Sequence, residues 1–145
     1  MQSKEQYYLR IADVVASRSK CLSRKIGAVL VKDDAIISTG FNGPPRGIKH
    51  CVDICPRRAQ GFLSGEGLEL CPATHAEANA IVQAARSGVS TNGATLYLTC
   101  ETPCKNCLGL IINAGIKRVF CTSSKLYDDC SKIIAEQSEI EFRVY

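Results

Sequence analysis

The sequence predicts an α/β protein, a sheet with helices over both of its faces. Three observations lead there. The chain has 145 residues, the size of one domain. Hydrophobic residues make up 46% of it, enough for a sizeable core and too many for a disordered chain. Short apolar runs of strand length alternate with longer segments of helical length, which is how a sheet covered on both faces reads.

Each element has its own signal. Ser3 with Gln6 forms a capping box that opens a helix through about residue 17. The stretch "IGAVLVKDDAIISTG" reads as two strands, 26–32 and 35–39, joined by a tight turn at Asp33–Asp34. Residues 41–74 are rich in Gly, Pro and Cys and lack sustained periodicity. A loop of that length inside a domain is usually functional or pinned, and its cysteines offer a pin. Regularity then returns. A helix is predicted from His75 to about Arg86, ending near Gly88, and a strand at 94–100. A helix from Cys104 to Asn113 follows, with Gly115 as its C-cap. The strand "RVFC" at 118–121, a helix at about 126–136 and a last strand at 140–145 complete the chain. With no internal repeat, low-complexity tract or linker, residues 1–145 read as a single domain.

Charge and location narrow the function. Eighteen Lys and Arg oppose fourteen Asp and Glu, a net charge of +4. That suits a small anionic ligand and is weak support for a nucleic-acid groove. The N-terminal residues are polar, and no apolar run approaches the length of a membrane span. The expectation is a cytoplasmic protein with no membrane partner. Nine cysteines need a reason in that setting: 21, 51, 55, 71, 100, 104, 107, 121 and 130. Their odd number argues against a fully paired disulfide framework. Clustered cysteines in a reducing compartment point to metal, and isolated ones are small core residues.

Two segments carry the chemistry: "CPATHAEANAIVQAA" at 71–85 and "TPCKNCLGLII" at 102–112. His75, Cys104 and Cys107 offer one imidazole and two thiolates. Cys104 and Cys107 have C-x-x-C spacing at a helix start, where partial positive charge and free N–H groups favour thiolates. Three protein ligands leave a tetrahedral zinc one open position, the arrangement of a catalytic rather than a structural site. The metal lowers the pKa of water near neutral pH. Glu77, two residues past His75, reaches the same pocket without ligating and is the candidate proton shuttle. The order H-x-E…P-C-x-x-C is the signature of the zinc deaminases. Either half alone is weak, because H-A-E arises by chance and C-x-x-C also serves redox and structural sites. A redox reading leaves His75 and Glu77 without a role. A closed structural zinc needs a fourth ligand, for which Cys100 is the nearby candidate.

Most of the chain resembles the deoxycytidylate (dCMP) deaminases of the cytidine deaminase superfamily. The resemblance covers "CLSRKIGAVLVKDDAIISTGFNGPPRG" at 21–47, "HAEANAI" at 75–81 and "GATLYLTCETPCKNCLGLIINAGIKRV" at 93–119. The segment "STGFNGPPRG" points to the dCMP branch, although Phe41 stands where that branch usually has Tyr. The resemblance implies a cytidine deaminase-like three-layer α/β/α fold with a mixed five-stranded sheet. It implies hydrolysis of dCMP to dUMP and ammonia, a step that feeds thymidylate synthesis in pyrimidine nucleotide biosynthesis. It assigns the zinc to His75, Cys104 and Cys107, and the proton shuttle to Glu77. It also implies a homo-oligomer, dimer-based or hexameric. Activation by dCTP with Mg2+ and inhibition by dTTP, through residues 40–47, belong to the same implication. Backbone near Thr102 and Pro103 would orient the 4-amino group.

A second, structural zinc is a separate expectation. Some dCMP deaminases carry one on cysteines matching Cys21 and Cys51; Cys55 and Cys71 complete a four-thiolate set, with His50 able to replace one of them. The alternative is four reduced thiols in separate pockets. Cys100, Cys121 and Cys130 read as structural. Asn42 is the candidate for the sugar or base, since its amide donates and accepts; Asn-Gly is equally a turn former. Ser23, Arg24 and Lys25 are candidates for the phosphate, Arg46 for the phosphate or an effector, and Arg86 for a neighbouring subunit's ligand. Each of these charges reads equally well as a solvated surface group.

Two rival functions remain. A tRNA adenosine or other polynucleotide deaminase would use the same zinc chemistry on a flipped base; the modest charge, the absence of tryptophan and the "FNGPPRG" segment speak against it. A non-catalytic, zinc-stabilised regulatory protein associated with DNA uptake is the other, and the intact Glu77 speaks against that.

Overall fold

The computed structural model describes residues 1–145. Five strands form one mixed sheet in the order β2-β1-β3-β4-β5. They are β1 (Gly27–Lys32), β2 (Ala35–Phe41), β3 (Thr95–Leu98), β4 (Arg118–Cys121) and β5 (Glu141–Val144). β1 pairs antiparallel with both β2 and β3, whereas β3, β4 and β5 run parallel. The β1–β2 hairpin turns at Asp33 and Asp34, which both have positive φ (51° and 60°). Two left-handed residues match the strand twist of a two-residue hairpin. Tyr8 Oη donates to the Asp34 carbonyl at 2.8 Å and Lys4 pairs with the Asp34 carboxylate, so the turn is tied to the first helix.

The interior strand β1 is buried on both faces, and its side chains alternate between two cores. Val29 and Val31 face Tyr8, Leu9 and Ala12 of α1 (Lys4–Ala16), together with Tyr97. Ala28 and Leu30 face the opposite core, which contains Ala76, Ala80, Leu96, Leu98, Ile111, Ile116 and Val119. That second core is roofed by α3 (Ala76–Arg86) and α4 (Lys105–Asn113); α5 (Asp129–Gln137) packs against α4. The capping box of α1 forms as its sequence predicts: Ser3 Oγ accepts from Gln6 N, and Gln6 Oε1 accepts from Ser3 N. Gly115, with φ of 74°, lies one residue beyond the α4 cap at Ala114.

Small residues let α1 and α3 sit close on the sheet. A Cβ on Gly27 would stand 2.1 Å from the Ala12 carbonyl oxygen. A Cβ on Gly40 would stand 2.4 Å from both Ala76 O and Ala80 N. The α3 backbone therefore lies directly on β2, and Ser38 Oγ donates to Ala80 O at 2.8 Å. The alanine run of α3 serves this contact, with Ala76 and Ala80 fully buried.

Three expectations shift. The segment 41–74 is not wholly irregular: it holds α2 (Pro56–Ala59) and a 3-10 turn at Leu68–Leu70. Elements this short carry no hydrophobic period. The last helix starts at Asp129 rather than at about 126, because the Asp128 carboxylate accepts from Ser131 N at 2.7 Å and caps it there. Strand β2 runs to Phe41 and β3 stops at Leu98. No helix is long and apolar enough to cross a membrane.

The Gly40 contact gives a direct test. Gly40→Ala should destabilise the protein by roughly 1–3 kcal/mol through overpacking against α3. Urea unfolding measures this, and an unchanged midpoint would contradict the close approach.

Candidate functional site

Two helix starts meet beside the C-terminal end of β3. His75 is the N-cap of α3 and Cys104 the N-cap of α4. Neither side chain caps its own helix, so both are free to turn towards each other. His75 is held in place from behind. Gly43 and Thr74 exchange backbone hydrogen bonds (3.1 and 2.8 Å), closing the base of the 44–73 excursion one residue before the histidine. Asn79 adds Nδ2–H bonds to Phe41 O at 2.8 Å and Thr74 O at 3.3 Å.

His75 Nδ1 lies 3.6 Å from Cys104 Sγ and 3.4 Å from Cys107 Sγ. Tetrahedral zinc with ordinary Zn–N and Zn–S bonds separates N from S by about 3.5 Å. The three donor atoms all lie within 4.8 Å of one another, so the site has the dimensions of a zinc triangle. Cys100 does not join them; it is buried and its thiol donates to the Glu101 carbonyl at 3.4 Å. The three donors would hold a tetrahedral metal without a fourth protein ligand.

The electrostatics suit a cation. The Cys107 thiol beside Cys104 pushes the Cys104 thiol down to about 4, while Cys107 itself is pushed up by the same contact. His75 is raised, first by its interaction with Cys104. Protons held between two sulfurs and an imidazole are what a divalent metal displaces. Glu77 is 4% exposed, and burial is the first cause raising its carboxyl pKa. A carboxyl kept out of water in this way holds its proton more tightly than one in solution, which suits it to proton exchange with a bound substrate.

His75, Glu77 and Cys104 line a cavity of about 380 Å³. Its walls also include Ser23, Arg24, Asn42, Cys100, Thr102 and Tyr127, and the insertion contributes Arg57, Arg58, Phe62, Leu63 and Leu68. The volume is that of a small-molecule pocket. Thr102 is fixed by donating its hydroxyl to Lys125 O at 2.6 Å.

The other sequence candidates divide. Ser23 and Arg24 line the cavity, with Arg24 paired to Glu101 at 2.8 Å. Asn42 also lines it, but its amide is largely engaged: Oδ1 accepts from Ile26 N at 2.8 Å and Nδ2 donates to Arg24 O at 2.9 Å. It braces the segment before β1 that carries Ser23 and Arg24, which is more than the turn its sequence suggests. Lys25 is exposed and outside the cavity. Arg46 is outside it too and donates to Gln83 Oε1 of α3 at 3.2 Å. Arg86 is exposed in the last turn of α3, away from the cavity.

Cys21, Cys51, Cys55 and Cys71, with His50, line a second cavity of about 30 Å³. No three of the four sulfurs lie within 4.8 Å of one another, so the set converges without forming a closed donor tetrahedron. Cys55 caps α2, and its thiol is lowered first by the backbone N–H of Arg58. Cys121 is buried at the end of β4, whereas Cys130 is exposed on α5 and so is not a core residue. Sequence reasoning did not select Asn79, Arg57, Arg58 or Tyr127. The only signal for the arginines was an Arg-Arg pair inside a loop already marked as functional.

Three donors spaced for zinc and a carboxyl held out of water beside them are groups that hydrolytic base deamination requires. The chain belongs to the cytidine and deoxycytidylate deaminase family, whose zinc-binding region matches residues 2–123. The deoxycytidylate deaminase of Mycobacterium phage D29 is 45% identical over 120 residues, covering 79% of this chain and 91% of that protein. The deoxycytidylate deaminase of Schizosaccharomyces pombe is 37% identical over 145 residues; the match covers 99% of this chain but 44% of that longer protein. A crystal structure of the dCMP deaminase of cyanophage S-TIM5, in complex with dCMP and dUMP, superposes with a TM-score of 0.79 at 28% identity, covering 100% of this chain and 99% of that one.

Asn42→Ala would leave Ile26 N–H and Arg24 C=O without their partner. The expected cost is roughly 2–4 kcal/mol of stability. Denaturant unfolding of the variant measures it, and a loss of substrate affinity at unchanged stability would contradict the bracing role.

Proposed function

We propose that this chain catalyses hydrolytic deamination of dCMP to dUMP and ammonia. The observation that carries the proposal is the zinc-sized triangle of His75, Cys104 and Cys107 with desolvated Glu77 beside it in the wall of a nucleotide-sized cavity. The phage D29 relative, 45% identical, and the S-TIM5 structure with dCMP and dUMP support the choice of substrate.

His75 Nδ1 and the two sulfurs would hold zinc. Zinc held there supplies a hydroxide nucleophile near neutral pH by acidifying water. The chain's own groups do the rest. Glu77 would take the proton released by the attacking water and pass it to N3 of the cytosine, then carry the remaining hydroxyl proton at C4 to the 4-amino group, so that the C4–N bond breaks, ammonia leaves and the C4 carbonyl forms. Burial of Glu77 keeps competing water from its carboxylate. The backbone at Thr102 and Pro103, fixed through the Thr102 hydroxyl, orients the amino group. Ser23 and Arg24, which line the cavity, would meet the sugar and phosphate, and Asn42 braces the segment that carries them.

Regulation by dCTP with Mg2+ and by dTTP, acting through residues 40–47, is part of the same reading. Three ties would couple that segment to the catalytic helix: Gly40 against the α3 backbone, Asn79 to Phe41 O, and Arg46 to Gln83. A homo-oligomer and a cytoplasmic location complete it. We also propose a second zinc on Cys21, Cys51, Cys55 and Cys71, supported by their shared cavity; binding would draw the four sulfurs together and pin the insertion.

Glu77→Gln should keep its zinc and lose roughly 10²–10⁴-fold or more in dCMP turnover. Ammonia release and elemental analysis on one preparation measure both, and retained turnover would remove Glu77 from its role. Cys51→Ser should bind one zinc fewer per chain, with His75, Cys104 and Cys107 still loaded; unchanged zinc content would refute the second site.

A further inference from the structure

The insertion adds positive charge to the wall of the substrate cavity. Three guanidinium groups line it: Arg24, Arg57 and Arg58. Their situations differ. Arg24 is neutralised by Glu101 at 2.8 Å. Arg57 is committed to the insertion's own backbone, with Nε donating to Glu66 O at 2.6 Å and its terminal nitrogen to Leu63 O at 3.2 Å. Arg58 has neither a side-chain hydrogen bond nor an ion pair, although it lines the same cavity as Glu77 and His75. A free planar fork of N–H donors at a pocket wall is suited to a phosphate or carboxylate.

The mount beneath Arg58 is firm. Pro56 opens α2, Cys55 caps it and Ala59 N donates to Cys55 O at 2.9 Å. Phe62 N donates to Arg57 O at 3.1 Å, and Leu63 N donates to Glu66 Oε2 at 3.1 Å. Gly67, at φ of 62°, allows the chain to pass the Phe62 ring, where a Cβ would come within 2.5 Å. Cys21, Ser23, Arg57, Cys71 and Ala73 line both the cysteine cavity and the substrate cavity, so the two share a wall.

We infer that Arg58 is a specificity residue that clamps the 5′-phosphate of a nucleoside monophosphate, presented by an insertion that the cysteine cluster holds in place. The inference rests on the nucleotide reading of the site. It explains why a deaminase would carry the excursion at all: the metal and Glu77 act on the base, while the excursion reads the phosphate and so separates nucleotide from nucleoside.

The test is calorimetric titration of the zinc-loaded full chain with dUMP and, separately, with deoxyuridine, for the wild type, Arg58→Ala and Arg58→Lys. Arg58→Ala should weaken dUMP binding about tenfold or more and leave deoxyuridine binding unchanged. Arg58→Lys, which keeps the charge without the fork, should recover part of the loss. The exposed position of Arg58 makes misfolding of the variants an easy control by thermal unfolding and zinc content. Unchanged dUMP affinity in Arg58→Ala, or an equal loss for deoxyuridine, would overturn the clamp alone. A wild-type protein that binds neither dUMP nor dCMP would overturn both the clamp and the nucleotide reading.

Discussion

The contact on which the site depends is the one between Gly40 and the backbone of α3. It fixes where α3 begins, and the helix start fixes His75 and Glu77. A helix placed one side chain further from the sheet would move its N-cap away from α4 by a similar distance. The spacings of 3.6 and 3.4 Å from His75 Nδ1 to the two sulfurs would not survive that. The requirement reaches back to the sequence as a glycine at the end of β2 facing alanines at 76 and 80. Packing and metal geometry are thus one constraint seen at two levels.

From that fixed point the pocket is built by loops. The Gly43–Thr74 bridge closes the excursion at its base, directly before His75. The excursion then returns over the cavity as a small unit tied by Arg57 and by the acidic cap of Glu66. The sheet supplies rigidity beneath the metal-ligand triangle, and the insertion supplies much of the cavity wall. This division matches a general tendency for chemistry to sit on scaffold termini and recognition on the loops around them.

Much of this was legible in the sequence, for physical reasons. Alternation of strand and helix signals needs no tertiary information, so the α/β layering and nearly every element could be read. The convergence of His75, Cys104 and Cys107 could be read because metal ligation demands particular atoms at particular spacings, and the nearness of Glu77 because it stands two residues past the histidine. What escaped was local or relational. A four-residue helix such as α2 has no period to detect. The true start of α5 was set by a single cap at Asp128. Asn42 looked like a ligand contact because an amide can do either job, and only its neighbours show that two backbone groups claim it. The free state of Arg58 among three arginines depends on which partners the other two have found, and no spacing encodes that.

The central claim is that the site acts on the base of a free deoxycytidine monophosphate. The most direct measurement is ammonia release by the zinc-loaded wild-type chain from dCMP, cytidine and a tRNA hairpin, with and without dCTP and Mg2+. The account predicts turnover of dCMP well above the other two. Turnover of the hairpin in preference to dCMP, or of none of the three in either condition, would contradict it.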